Sequence, residues 1–237
     1  FLSFLTSSYL LAQPSLESKI GLGYSWQMQF YKGGKTRLPI IPLIQYQYKN
    51  LSLRGPFLSY KIYNKWPQVS LLIAPEFLNL KPGSDDITNG LQERKITVNA
   101  GISIFTPFKS FTSQLSFMHD ILHRYNGHQI RLSLSKRFLL NSHITMISSL
   151  NINYVSSHYG QYYFGISKNE ANALRKIYNP GHAFIPGIGL TTNFELNDKW
   201  SLILINRFEL LPNNLFQSPL VDRPFIFQNM LGVQYKI

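Results

Sequence analysis

Apolar and polar residues alternate with period two along most of the chain, and the alternation restarts many times. Over residues 225–237 one face carries Phe225, Phe227, Asn229, Leu231, Val233, Tyr235 and Ile237. The other carries Ile226, Gln228, Met230, Gly232, Gln234 and Lys236. Successive side chains of a strand point to opposite faces, so this segment predicts a strand with one greasy and one mostly polar side. The same pattern runs through Ile20, Leu22, Tyr24, Trp26, Met28 and Phe30, through Ile96, Val98, Ala100, Ile102 and Ile104, and through Ile130, Leu132 and Leu134. Similar runs occupy about 37–49, 67–80, 110–123, 142–155, 182–196 and 199–211. Most reach the roughly ten residues that a tilted strand needs to cross a bilayer.

The expected fold class is therefore all-β: one transmembrane antiparallel β-barrel whose last strand closes the ring, because lipid offers no partner for an open edge. Tight connections near 107–109, 140–141 and 197–198 alternate with long ones at 81–92, 156–180 and 212–223. That asymmetry predicts short periplasmic turns and longer outer loops. About eleven strands are visible, whereas bacterial barrels have even numbers. The weak member is 51–62, whose apolar phase flips from Leu51 and Leu53 to Leu58, Tyr60 and Ile62 across Arg54-Gly55-Pro56. A bulge or break there leaves ten or twelve strands open.

Composition separates this barrel from a soluble one that alternates with its apolar face inward. Charged residues are 14% of the chain, against about 25% in ordinary soluble proteins. Hydrophobic residues are 44%, yet mean hydropathy is −0.08, as expected when lipid-facing and lumen-facing residues alternate. No run of about eighteen apolar residues is present, which excludes a helical bundle and not a membrane barrel. Aromatics at 14% suffice for girdles at both interfaces. The absence of cysteine rules out disulfides and thiolate metal sites. The net charge of +12 is scattered, with no nucleic-acid-binding motif beside it. Anionic lipid head groups or cell-wall polymer are the expected partners, and nucleic acid is not. Residues 1–12 (FLSFLTSSYLLA) read as the remnant of a secretory signal, which leaves 13–237 as a single barrel domain.

Several motifs carry a family resemblance. Gln161-Tyr162-Tyr163-Phe164-Gly165-Ile166-Ser167, then Glu170-Ala171, Leu174 and Tyr178-Asn179-Pro180, resembles the Tyr-Tyr-x-Gly-Val-Ser…Glu-Ala…Tyr-x-Pro loop of the MipA/OmpV family of outer-membrane proteins. Asp198-Lys199-Trp200-Ser201, Gln217-Ser218-Pro219-Leu220-Val221 and Gly232-Val233-Gln234-Tyr235-Lys236-Ile237 continue it. Gly21-Leu22-Gly23, 38–44 and Ser84-Asp85-Asp86 fit more loosely. The chain departs at Ile237, usually Phe in the family, and at Gln217, usually acidic. The resemblance implies a Gram-negative outer-membrane barrel without a cofactor. It also implies a non-enzymatic scaffold that joins a lytic transglycosylase to a penicillin-binding protein in murein synthesis. Other members are linked to adhesion.

Candidate chemistry is sparse. His119-Asp120…His123 is the sequence's best suggestion of an outer-membrane hydrolase acting on lipid A. On a strand, however, His119 and His123 share a face and Asp120 takes the other, and no third metal ligand is evident. The expectation is no catalytic, cofactor or metal site. The loop 156–180 is the more suggestive element by composition, with Tyr159, Tyr162, Tyr163, Phe164 and Tyr178 beside Lys168, Arg175 and Lys176. It reads either as a plug in the lumen or as a binding surface; an unplugged lumen would be a small diffusion pore. Gly232, Tyr235 and Ile237 have the spacing of the C-terminal signal read by the barrel-assembly machinery, by strand addition to an exposed edge.

Overall fold

Lipid cannot hydrogen-bond a backbone, so strands that cross it must pair on both sides and form a ring. A computed structural model, which describes residues 18–28, 30–33, 40–83 and 86–237, shows such a ring of twelve antiparallel strands. They are β1 (Lys19–Gln27), β2 (Ile40–Tyr48), β3 (Leu51–Arg54), β4 (Phe57–Tyr63), β5 (Gln68–Glu76) and β6 (Thr97–Phe108). The ring continues with β7 (Phe111–Asp120), β8 (His128–Leu139), β9 (Ile144–Val155), β10 (Ala183–Glu195), β11 (Trp200–Leu210) and β12 (Phe225–Lys236). Each strand pairs with its neighbours in sequence, and β12 returns to β1 in register from Gln27↔Gln228 to Lys19↔Lys236. Among the described residues no helix is long and apolar enough to cross a membrane. The signal remnant expected at 1–12 lies outside the described residues, as do positions 38–39 and 84–85 of the looser motifs.

Twelve strands resolve the count. The segment 51–62 is two strands, β3 and β4, joined by a two-residue Gly55-Pro56 turn. Gly55 takes φ +55°, which suits the first central position of a type II′ hairpin, and the phase flip seen in the sequence is this reversal. The other tight connections lie at the opposite end of the barrel. Lys49 and Lys109 adopt φ +50° and +53° there. Asn141 Oδ1 accepts N–H bonds from His143 and Ile144 (2.9 and 2.8 Å), and Asn197 Oδ1 accepts from Lys199 and Trp200 (both 2.9 Å). These side chains do locally what a further backbone turn would do. The long connections gather at the outer end.

The facing is that of a membrane barrel. On β8, Ile130, Leu132 and Leu134 are exposed, whereas Gln129, Ser133 and Ser135 are buried. Tyr48, Tyr60, Trp66, Phe108, Phe111 and Trp200 form an exposed aromatic belt at the turn end. Lys49, Lys109 and Lys136 lie over the rings of Tyr48, Phe108 and Phe111, at 5.3, 5.7 and 5.4 Å from the ring centres. Such lysines keep their stems in the apolar layer and their ammonium groups at its boundary.

The facing has a direct test. Leu132→Arg, near the middle of β8, is expected to cost about 2–4 kcal/mol of folding free energy in lipid vesicles. Ser133→Ala, one residue away on the lumen face and losing a buried hydroxyl that has no hydrogen-bond partner, should cost less than about 1 kcal/mol. Urea titration of the refolded protein reads both, and equal losses would refute the assignment.

Candidate functional site

The outer end is closed by its own loops. Ser156 caps the helix α1 (Ser157–Phe164), its hydroxyl accepting from Tyr159 N at 3.4 Å, as N-cap serines do. The helix turns Tyr159, Tyr163 and Phe164 into a buried cluster with Phe30, Tyr31, Tyr125, Leu215, Leu220 and Val221. Tyr163 and Leu215 are fully enclosed. Burial pushes the Tyr159 and Tyr163 phenols well above their ordinary range, so they stay neutral. Tyr31 donates to Tyr163 O at 2.9 Å, and Ser218 to Phe164 O at 2.6 Å. A second helix, α2 (Asn213–Phe216), is fastened from below: Tyr178 donates to Asn214 O, and Asn214 Nδ2 donates to Pro180 O and His182 O, at 2.9, 2.8 and 2.7 Å.

One ion pair joins two of these loops. Arg94, from the β5–β6 loop, meets both carboxylate oxygens of Glu170, Nη1–Oε1 at 2.8 Å and Nη2–Oε2 at 3.0 Å. Both side chains are only 5% exposed. Glu170 also accepts from Gln92 N, Ser167 N and Ser167 Oγ, at 3.0, 3.1 and 2.8 Å. Burial alone would raise this carboxyl; the Arg94 contact and the N–H donors outweigh it and hold it at about 2. Arg175 adds a second tie, donating from Nε to Glu170 O at 2.6 Å and from Nη1 to Ile87 O at 2.8 Å. Charged and bidentate, with a carboxylate that accepts three further hydrogen bonds, the pair has the geometry that makes a buried ion pair strong.

Sequence reasoning marked this loop but not its internal logic. Tyr159, Tyr163 and Phe164 are core, and Arg175 is buried. Tyr162 is half-buried, its hydroxyl accepting from Lys95 N at 2.8 Å. Tyr178 is half-buried, and Lys168 and Lys176 are exposed. Arg94 lies 76 residues from Glu170, a separation that no local spacing signals.

The histidine–aspartate suggestion dissolves in the fold. His119 is exposed on the outer face of β7, opposite His128, while Asp120 is wholly buried on the inner face. Asp120 accepts from Thr97 Oγ1 and from the backbone N–H groups of Leu122, Tyr125 and Asn126, which makes it an organiser of the 121–127 turn. His123 sits in that turn, bonded to Asn126. No group of three potential metal ligands occurs among the described residues.

Below the cap a network of side-chain hydrogen bonds occupies part of the lumen. Gln129 donates to Glu76 Oε2 (3.0 Å) and Tyr125 Oη (3.3 Å), Tyr125 donates to Asn99 (2.6 Å), and Asn153 donates to Gln129 (3.1 Å). A cavity of ≈ 40 Å³ beside Gln129 and Arg131 and another of ≈ 60 Å³ beside Arg54 and Lys61 interrupt this packing. Each has room for a few waters.

At the closing seam, Gly232 faces inward beneath Leu43; a Cβ there would meet Leu43 Cδ1 at 2.2 Å. Tyr235 packs edge-on against Trp200, with ring centres 4.9 Å apart, and Ile237 N donates to Ser18 O at 3.0 Å.

Residues 20–237 match the family of the MltA-interacting protein MipA. The MltA-interacting protein of Escherichia coli is 25% identical over 238 residues, 98% of this chain and 95% of that protein. Outer membrane protein OmpV of Vibrio cholerae is 30% identical over 139 residues, 59% of this chain and 54% of that protein, so this chain spans about half of OmpV. Among solved structures, the NanC porin superposes with a TM-score of 0.52 at 7% identity, covering 92% of this chain and all of that one, which is a likeness of fold.

The Arg94–Glu170 tie generates a pH prediction. A carboxyl held at about 2 in the folded cap, against about 4.3 unfolded, contributes stability that is complete above the unfolded value and is lost as pH falls through about 2. Glu170→Gln should abolish that acid dependence and speed hydrogen exchange in 156–182 by about a hundredfold, equivalent to about 3 kcal/mol. Exchange mass spectrometry at pH 2–6 reads both effects.

Proposed function

The chain belongs to the MltA-interacting protein MipA family, and on that premise we propose that it is a non-enzymatic outer-membrane scaffold for cell-wall enzymes. Its partners on this reading are a lytic transglycosylase and, by family resemblance, a penicillin-binding protein, both approaching from the periplasm. The observation that carries the proposal is the charge of the turn end. Lys49, Lys65, Lys109, Lys136, Arg137, Lys199 and Lys236 stand there against Glu195 and Asp198. A one-signed field at the end facing the cell wall attracts acidic protein surfaces and the carboxylates of murein peptides, and it raises association rates. The opposite end, on this reading, is a plug: loop 156–182 and its neighbours keep the lumen shut, which favours a scaffold over a diffusion pore. Lipopolysaccharide contacts the outer wall of the barrel.

Crosslinking pull-down from native envelopes tests the docking face. Replacing Lys49, Lys65, Lys109 and Lys199 together by Glu should lower recovery of the transglycosylase at least tenfold, while Lys168→Glu with Lys176→Glu should leave it unchanged. Equal recovery from both variants would remove the periplasmic docking reading.

Gly232, Tyr235 and Ile237 serve, in the same proposal, as the signal that the assembly machinery reads before β12 closes on β1. Deleting 235–237 should sharply lower the heat-modifiable folded form on gels, and Ile237→Phe should maintain or raise it. Undiminished assembly after the deletion would show that the signal lies elsewhere.

A further inference from the structure

The β3–β4 hairpin makes the barrel wall low on one side. β3 has only four residues and pairs with β2 at 45–48, and the chain turns at Gly55-Pro56 while β2 continues outward to Ile40. Inside the ring the space beyond the turn is closed by packing. Ile41, Leu43, Phe57, Ala74, Ile203 and Met230 belong to one buried apolar cluster there, in a barrel interior that is otherwise mostly polar.

On the turn-end side of this cluster the inner face is basic. Arg54, the last residue of β3, is buried and pairs with Gln45 on one side and Phe57 on the other, which sets it beside the apolar cluster. Lys61 of β4 is half-buried, nearer the turn end. Both line the cavity of ≈ 60 Å³, close enough for the Arg54 charge to act on the Lys61 ammonium. The rest of the lining is neutral: Gln47, Gln68, Gln114, four serines and the ring of Phe105. Among the described residues no carboxylate borders it.

The inward carboxylates are engaged elsewhere. Glu76 accepts from Gln129, and Asp120 from Thr97 and the 121–127 turn, both at the outer end. Glu209 lies there too, within reach of the Arg131 and Arg207 charges. Glu195 is at the turn end, but on β10, six places from β4 in the ring of twelve and so on the opposite wall.

The cavity has a mouth and a floor. Gln47, Lys61 and Gln68 are half-buried on its turn-end side, whereas Arg54 and Gln114 are buried at its inner side. Gln114 also borders the other cavity, so it divides the two. Its Oε1 is buried without a hydrogen-bond partner, and turning the amide over presents N–H donors there instead. Short turns of such barrels face the periplasm, so the mouth does as well.

We propose that this cavity is a binding site for a phosphate group that enters from the periplasm. Two neighbouring cations match a dianion better than they match the single charge of a carboxylate. Amide and hydroxyl donors serve the oxygens that the cations leave over. At about 15 Å³ for each water the cavity has room for about four, the number of oxygens in a phosphate. The apolar cluster beside it excludes water, and charges attract more strongly there than in bulk solvent. Free phosphate and the phosphate of a larger solute share this chemistry. The site is independent of the scaffold reading, because it lies inside the ring and the docking lysines stand on its rim.

Isothermal titration calorimetry on the refolded full chain in detergent micelles tests the site at about pH 8, where phosphate is doubly charged. At physiological ionic strength diffuse attraction is screened beyond about 8 Å, and inorganic phosphate should still give one saturable site per barrel. Acetate should bind at least about tenfold more weakly. Methyl phosphate separates the sources: binding as tight as that of inorganic phosphate assigns the site to the phosphate of a larger solute, and weaker binding assigns it to the free anion. Lys61→Gln should weaken phosphate binding at least about tenfold and Lys61→Arg should retain it, while Lys168→Gln, which removes a charge from the outer cap, should change nothing. Arg54→Gln should act like Lys61→Gln. Should it fail to assemble, as heat-modifiability on gels would show, the two Lys61 variants decide alone, since that side chain is half-exposed at the mouth. No saturable heat with phosphate, acetate as tight as phosphate, or equal losses from Lys61→Gln and Lys168→Gln would overturn the proposal.

Discussion

The whole molecule follows from the cost of an unpaired backbone group in hydrocarbon, several kcal/mol for each N–H or C=O left without a partner. That penalty forces β12 onto β1, and closure in turn fixes which side of every strand meets lipid. Once the ring is closed, the inward residues have nowhere to go but against each other. The lumen therefore packs into a hydrogen-bonded network around Gln129 and Tyr125, with a small cavity beside it.

The same constraint explains where the protein departs from uniformity. The outer loops extend beyond the hydrocarbon, so they are free to use the commoner means of soluble folding. Buried tyrosines, a capped helix and a bidentate ion pair build a small core above the barrel. At the turn end, connections of a few residues leave no such room, and the surface there is made of turn-forming asparagines and of lysines lying over aromatic rings. One end is a compact cap and the other a charged rim.

Period-two alternation makes the barrel legible, because facing is a property of each residue and its next neighbours. By the same rule His119 and Asp120 belong on opposite faces, and in the fold one is exposed and the other buried. The strand number is less accessible, since β3 and β4 together are no longer than one full strand and only the phase flip at Gly55-Pro56 distinguishes them. The cap is half legible. A concentration of aromatics marks 156–180, but Arg94 meets Glu170 only through the folding of two distant loops. The apolar patch inside the lumen is half legible for a similar reason: the unbroken apolar run 202–205 breaks the alternation of β11, but Leu43 and Met230 join it from other strands.

The low wall at β3 and β4 has a consequence for the membrane itself. A barrel of unequal height presents a long apolar span on one side and a short one on the other, and a bilayer must thin to match the short side. Such a deformation is directional. Its energy falls when another thin-rimmed protein or a shorter-chained lipid sits beside it, so neighbours are selected by azimuth as well as by depth. The β3–β4 hairpin thereby gives the barrel a preferred side in the plane of the membrane.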